Sequence, residues 1–291
     1  MPGPGFRNFA CVLLLCLGLV ACRHEVVAPG DPVAAVKGLA AAVKDNDLVR
    51  YSRLSVPPAL HEKMQARWKA RLAIAPPPTE AQKQDYARLM GRFTAPDAEA
   101  RLYRSLDPKL KKLEKEIGSQ WPLMQTTARI FVTGLIQAND RLSPSEKDHA
   151  KAVGAALMAW AQPKLVTDRV RARQAIAVMT ATARELDLPT LETTRELEMV
   201  PALEKGNIVL KGLKQMGRVY GLDADASLAG MQAELVGAEG DLATVQVRYP
   251  LLGKTVSFEL ELIRRDNRWY RADAVRSAEA ELARPLTATA P

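Results

Sequence analysis

Three thiols and three imidazoles are the whole stock of zinc-type sulfur and nitrogen ligands in this 291-residue chain. The thiols, Cys11, Cys16 and Cys22, crowd into the N-terminal segment, whereas a disulfide framework or a zinc ribbon spreads its cysteines through the fold it staples. His24, His61 and His149 stand far apart in sequence, and each is expected as a partly exposed surface residue. The run His61-Glu62-Lys63-Met64-Gln65 starts like a zincin helix. Gln65 takes the place of the second histidine, and zinc needs three or four converging ligands. Asp223, Asp225 and Ser227, with Glu234 at the twelfth position, have the oxygen spacing of a calcium loop. Leu228 fills the sixth position, where the sharp turn needs glycine, so a capped turn is expected instead. No metal and no cofactor are expected.

Nucleophile chemistry has no better foothold. The chain lacks a G-x-S-x-G elbow, an S-x-x-K pair, a phosphate-cradling P-loop and a dinucleotide fingerprint. Glu114 with Glu116, and Glu259 with Glu261, could do acid–base work on glycans. The first pair lies in a lysine-rich helical run and the second alternates onto the wet side of a strand, so both are expected as solvated surface. Basic residues exceed acidic ones by 41 to 33. The segment Arg264 to Arg276 mixes arginines with aromatics, and Arg264, Arg265, Arg268, Trp269, Tyr270 and Arg271 are the candidate binding residues.

The N-terminus assigns the protein an address. Arg7 is the one charge among the first eight residues, and Phe9 to Ala21 is an unbroken apolar run, too short for a bilayer-spanning helix of about 20 residues. Leu19-Val20-Ala21-Cys22 resembles the lipobox of bacterial lipoprotein precursors. That resemblance implies a signal peptide over residues 1–21, cleavage before Cys22 and acylation of Cys22 as the lipid anchor. Arg23 stands where the inner-membrane retention signal of enteric bacteria has aspartate, which favours the outer membrane, inner leaflet, facing the periplasm. Cleavage would remove Arg7 alone among the charged residues, leaving 270 residues of net charge +7 whose sole sulfhydryl carries lipid. Thiol redox chemistry and nucleic acid are thereby excluded, and anionic envelope surfaces or acidic proteins become the natural partners.

The elements that must position any site follow from periodicity. Residues 22–30 read as a lipidated tether, and Asp31-Pro32 caps the first helix of a helical region spanning 31–225. Ser55 to Pro58, Pro76 to Pro78, Pro96, Asp107-Pro108 and Pro163 are expected breaks, and Pro201 and Gly206 are expected to interrupt the last helices. Thr79 opens one helix, and Ser143-Pro144-Ser145-Glu146 is a capping box opening another. From residue 229 the period shifts from 3.6 to 2. Ala243, Val245, Val247 and Tyr249 alternate with polar residues, as do Val256, Phe258, Leu260 and Leu262, predicting an antiparallel meander of about four strands over 226–276. Residues 277–291 are expected as a flexible tail. The fold class is therefore α+β, helices first and sheet last.

The stretch Gly240 to Val275, ending in Trp269 and Ala272-Asp273, resembles the sheet half of nuclear-transport-factor-like cone domains. The resemblance covers about 40 residues, carries no catalytic signature and implies a sheet curled over a helix around an apolar cavity. The function expected is a lipid-anchored, non-enzymatic periplasmic binding protein whose partner is an envelope protein or anionic polymer, in one variant an inhibitor or immunity protein. Two other classes stay open: an envelope hydrolase with carboxylates assembled from distant segments, and a small-molecule or lipid carrier using a cavity in the sheet domain.

Overall fold

A computed structural model describes residues 26–139 and 142–286; the expected signal peptide and the expected anchor residue Cys22 lie outside them. The order is eleven helices, four strands and a closing helix among the described residues. Helix α1 (Pro32–Lys44) opens with Asp31, whose side chain accepts from the Ala34 N–H, and Pro32 sits where its missing N–H costs nothing. Helix α2 (Leu48–Ser55) ends before the proline pair, and α3 (Pro58–Ile74) runs to the triple proline. Helices α4 (Glu80–Thr94) and α6 (Pro144–Trp160) both start with full capping boxes, Thr79 with Gln82 and Ser143 with Glu146.

Between these two lies α5 (Ala98–Gln137), a single 40-residue helix containing Pro108 and Pro122. The expected break at Asp107-Pro108 is absent. Asp107 spans the proline by side-chain bonds instead, accepting from the Tyr103 hydroxyl at 2.9 Å one turn before and from Lys111 Nζ at 2.7 Å one turn after. These i, i+4 links brace the turn that the proline deprives of a backbone bond. The short α7 (Pro163–Val166) leads to Asp168, which caps α8 (Arg169–Leu186) by accepting from the Val170 and Arg171 N–H groups. After α9 (Leu191–Arg195) comes α10 (Met199–Val219), which contains both Pro201 and Gly206. Pro201 falls in its first turn, where no intrahelical donor is needed, so it does not interrupt the helix.

Helix α11 (Ala224–Ala229) precedes the meander: β1 (Gln232–Glu239), β2 (Leu242–Leu251), β3 (Lys254–Arg265) and β4 (Arg268–Arg271), antiparallel and in sequence order. The hairpins turn on residues with positive φ, Leu252-Gly253 and Asp266-Asn267, the geometry that matches strand twist. The expected alternation is present: Ala243, Val245, Val247, Val256 and Leu262 are buried on one face. Helix α1 packs on that face through Ala35 and Val36, while α12 (Ala272–Ala283) and α2 close over Tyr270 at the sheet's end. Strand β4 reaches only as far as Leu262 along β3. The unpaired remainder of β3 is shielded by α6, whose Ser145 Oγ accepts from the Glu259 N–H.

Two expectations at the ends of the chain need correction. Residues 277–283 continue α12, with Ala278 buried and Glu281 paired to Arg67 and Arg71, so the C-terminal segment is docked that far. The described part of the tether is docked too. Ala28 is fully buried, Pro29 O accepts from the Trp269 N–H at 3.1 Å, and Ala28 O accepts from Arg268 Nη1 at 2.9 Å.

Candidate functional site: an apolar cavity on the sheet

The inward face of the meander is only partly covered. A cavity of about 520 Å³ remains between it and the helices, within the range that small-molecule sites occupy. Helix α1 supplies Val36, Leu39, Ala40 and Val43; α11 and its approach supply Leu222, Ala224 and Leu228; the sheet supplies Val247, Tyr249, Phe258 and Leu260. Strand alternation delivers these sheet side chains to one face, and the three-to-four spacing does the same on α1.

Helix α11 is held over the cavity by a buried lysine. Lys214 on α10 is 6% exposed and donates to Val43 O at 2.6 Å and Lys44 O at 2.9 Å, the end carbonyls of α1. Its charge is balanced by Asp225 at 2.7 Å, in the first turn of α11. A buried cation without a partner would cost several kcal/mol, so the Lys214–Asp225 pair fixes α1, α10 and α11 in one arrangement.

Polar groups enter at two ends. At one, His149 of α6 packs against Phe258 with ring centroids 4.6 Å apart and bonds the Tyr249 hydroxyl at 2.8 Å. Burial pushes His149 below the ordinary histidine value and Tyr249 above the ordinary tyrosine value, so both are neutral near pH 7. At the other end, Arg271 is half-buried. Burial opposes its charge, but the Asp273 carboxylate and Tyr51 more than offset this and raise its pKa. Arg271 lies across from Leu262, four residues along β3 from Phe258, so the two ends are about 13 Å apart at strand rise. Apart from Glu146, Ser227 and Glu259, the walls between them are lined by apolar side chains.

A second cavity of about 500 Å³ lies behind, between α2, α3, the start of α10 and α12. Its polar lining includes His61, whose Nε2 is 3.0 Å from Ser52 Oγ. His61 is buried rather than surface-exposed as expected, and burial, then Arg53, lowers its pKa. A serine–histidine pair is the beginning of a nucleophile, but no acid hydrogen-bonds the imidazole among the described residues, and a catalytic base needs such an orienting partner. The arrangement is a satisfied polar contact. No cluster of three or more His, Cys, Asp or Glu groups converges among the described residues.

The six arginine and aromatic candidates do not form one surface. Trp269 is core, packed with Ala35, Val36, Val245 and Leu262, and Arg264 lies over its ring while pairing with Asp241 at 2.9 Å. Tyr270 points to the opposite face and is 1% exposed, packed by Leu54 and Val275. Arg265 donates to Arg264 O, Arg268 holds the tether, and Arg271 alone of the six reaches the cavity. Sequence reading missed the roles of Tyr51 and His149 because each gains its partner from a segment at least 100 residues away, and it missed the Ser52–His61 pair because those residues, nine apart, meet only where α2 turns into α3. Alternation did place Tyr249 and Phe258 inward, and that was the one available signal. Comparison with known proteins finds no matching family, no matching characterised protein and no matching solved structure.

Proposed function

We propose that this chain is a lipoprotein anchored through Cys22 at the periplasmic side of the envelope, and that it binds, without chemical transformation, an apolar molecule in the cavity of its sheet domain. The observation that carries the binding reading is the cavity itself: about 520 Å³ of space walled by α1, α11 and the sheet, with the neutral His149–Tyr249 pair at one end and the charge-balanced Arg271–Asp273 pair at the other. Such walls gain roughly 25 cal/mol for each Å² of hydrocarbon they desolvate; of the charged side chains that line them, Glu146 accepts from the Ser143 N–H and Arg271 pairs with Asp273, and Glu259 is exposed at the open strand edge. The resemblance to cone domains agrees with this use. Delipidated protein is expected to enhance the emission of a fluorescent long-chain fatty acid. Ala40→Trp, which fills the cavity from α1, is expected to weaken that uptake by at least about tenfold. Uptake unchanged by Ala40→Trp would refute the reading.

A second reading, docking to an envelope protein, is favoured by α5. Its outer half leaves Leu123, Ile130, Phe131 and Leu135 between 57% and 71% exposed, an apolar stripe of the kind that marks interaction surfaces. Under this reading Ile130→Asp with Phe131→Asp abolishes recovery of a stoichiometric partner from envelope extracts while ligand uptake is retained.

A further inference from the structure

The two cavities share a wall made of the same two side chains, Tyr51 and Arg271. Arg271 spends its Nε and Nη2 donors on Asp273 and an Nη1 donor on the Tyr51 hydroxyl. A guanidinium has five N–H donors, so one hydrogen on each terminal nitrogen stays unspent. The Tyr51 oxygen accepts from Arg271 and keeps its own proton to donate. Asp273 cancels the charge of Arg271. The junction therefore offers three donors and no net charge, flanked on both sides by hydrocarbon-lined space of nearly equal volume, about 520 and about 500 Å³.

We propose that the two cavities are the arms of one site, and that its ligand is a double-chained, ester-linked glycerolipid with one acyl chain in each arm and its ester carbonyls on Arg271 and Tyr51. This rests on the reading of the first cavity as an apolar-ligand site and adds the class of the ligand. Ester carbonyls are uncharged acceptors, which is what a charge-balanced cluster of donors complements. A fatty carboxylate or a phosphate has to share Arg271 with the Asp273 carboxylate, a like-charge contact that costs affinity. A branched ligand also fits the geometry: the polar branch point of a glyceride separates two chains, as the Tyr51–Arg271 wall separates two cavities. Most polar groups of the second arm are already engaged: Ser52 with His61, Ser55 with Tyr51 O, and Glu281 with Arg67 and Arg71.

The test uses the Cys22→Ala chain, which has no anchor acyl groups to compete, with native mass spectrometry and displacement of a fluorescent lipid. The probes are a diacylglycerol, a phosphatidylglycerol with the same acyl chains, and the matching free fatty acid. One diacyl lipid is expected per chain, the two diacyl probes within about threefold of each other and both at least about tenfold tighter than the fatty acid. Tyr51→Phe and Arg271→Gln are each expected to weaken the diacyl probes by about tenfold and the fatty acid by less than about threefold. Leu203→Trp, which fills the second arm alone, is expected to abolish the preference for two chains while fatty acid uptake persists. Fatty acid bound as tightly as diacyl lipid, or a preference untouched by Leu203→Trp, overturns the two-armed site and leaves the simpler reading standing. Failure of every probe to bind overturns both.

Discussion

At the scale of residues, three consecutive side chains have three different fates. Trp269 fills the core under α1, Tyr270 fills the one behind β4, and Arg271 lines the cavities between. The sequence grouped them by composition as one basic, aromatic patch, but strand alternation turns Tyr270 to the face opposite Trp269 and Arg271. The burial of His61 was equally invisible in sequence, because the turn that folds α3 back onto Ser52 of α2 leaves no local signal, and His149, partly exposed as expected, takes its partner Tyr249 from 100 residues away. Their desolvation has a measurable consequence. Burial holds both imidazoles below the ordinary value of 6.5, so the unfolded chain takes up protons first as pH falls. Stability is full above that value, falls as pH drops from it toward the folded values, and falls no further once both states are protonated. Asp168 and Asp223, held low chiefly by backbone N–H groups at helix starts, act in a separate window: their contribution is lost below the usual carboxylate range. Calorimetry is expected to show Tm declining in two stages on acidification. The upper stage should vanish in the His61→Gln, His149→Gln double variant, and its persistence would reject this account.

At the scale of elements, the signals read best were those whose physics is local. Asp31, Thr79 and Ser143 cap helices because the orphan N–H groups they satisfy lie within three residues. Pro108 misled because the compensation from Tyr103 and Lys111 depends on side chains that propensity ignores. Helix crossings are less legible still. Gly212 in α10 looks like a helix-weakening residue, yet a methyl group placed there would run into Thr182 of α8. Thr182 is stiff at χ1 and donates its hydroxyl to Val178 O at 2.8 Å, so it has little room to yield. Gly212→Ala therefore sets a propensity gain of about 1 kcal/mol against an overpacking cost of roughly 1–3 kcal/mol. Net destabilisation is expected in urea titration, whereas an exposed helical glycine such as Gly91, with open space around it, gains stability on the same change. Ser143→Ala removes one partner of the capping box and is expected to cost about 1 kcal/mol in the same titration.

At the scale of the whole molecule, the α+β order of helices then sheet was legible because periodicity changes once, near residue 229. The cavity was not, since its walls come from α1, α2, α6, α11 and the meander, brought together by contacts such as Lys214 on the end of α1. The tether is where architecture meets the proposed anchor. Ala28 is sealed into the core shared by α1, α2 and α12, and the backbone at Pro29 pairs with β4. At most about 3.6 Å per residue separates Cys22 from Ala28, or about 22 Å, so an acylated Cys22 holds the folded body against the bilayer instead of letting it range on a leash. Two substitutions separate anchoring from docking. Cys22→Ala is expected to move the chain from the membrane pellet to the soluble fraction, because two or more acyl chains are what make such attachment stable; retention in the pellet would refute acylation at that residue. Ala28→Asp puts a carboxylate where Ala28 is fully buried, at a cost that frees the tether before it unfolds the body. That variant should stay in the pellet but become cleavable by protease between Cys22 and Pro32, with faster exchange of the Trp269 amide that Pro29 O otherwise protects. Unchanged protease resistance in Ala28→Asp would mean that the body is held to the membrane by something other than this short docked segment.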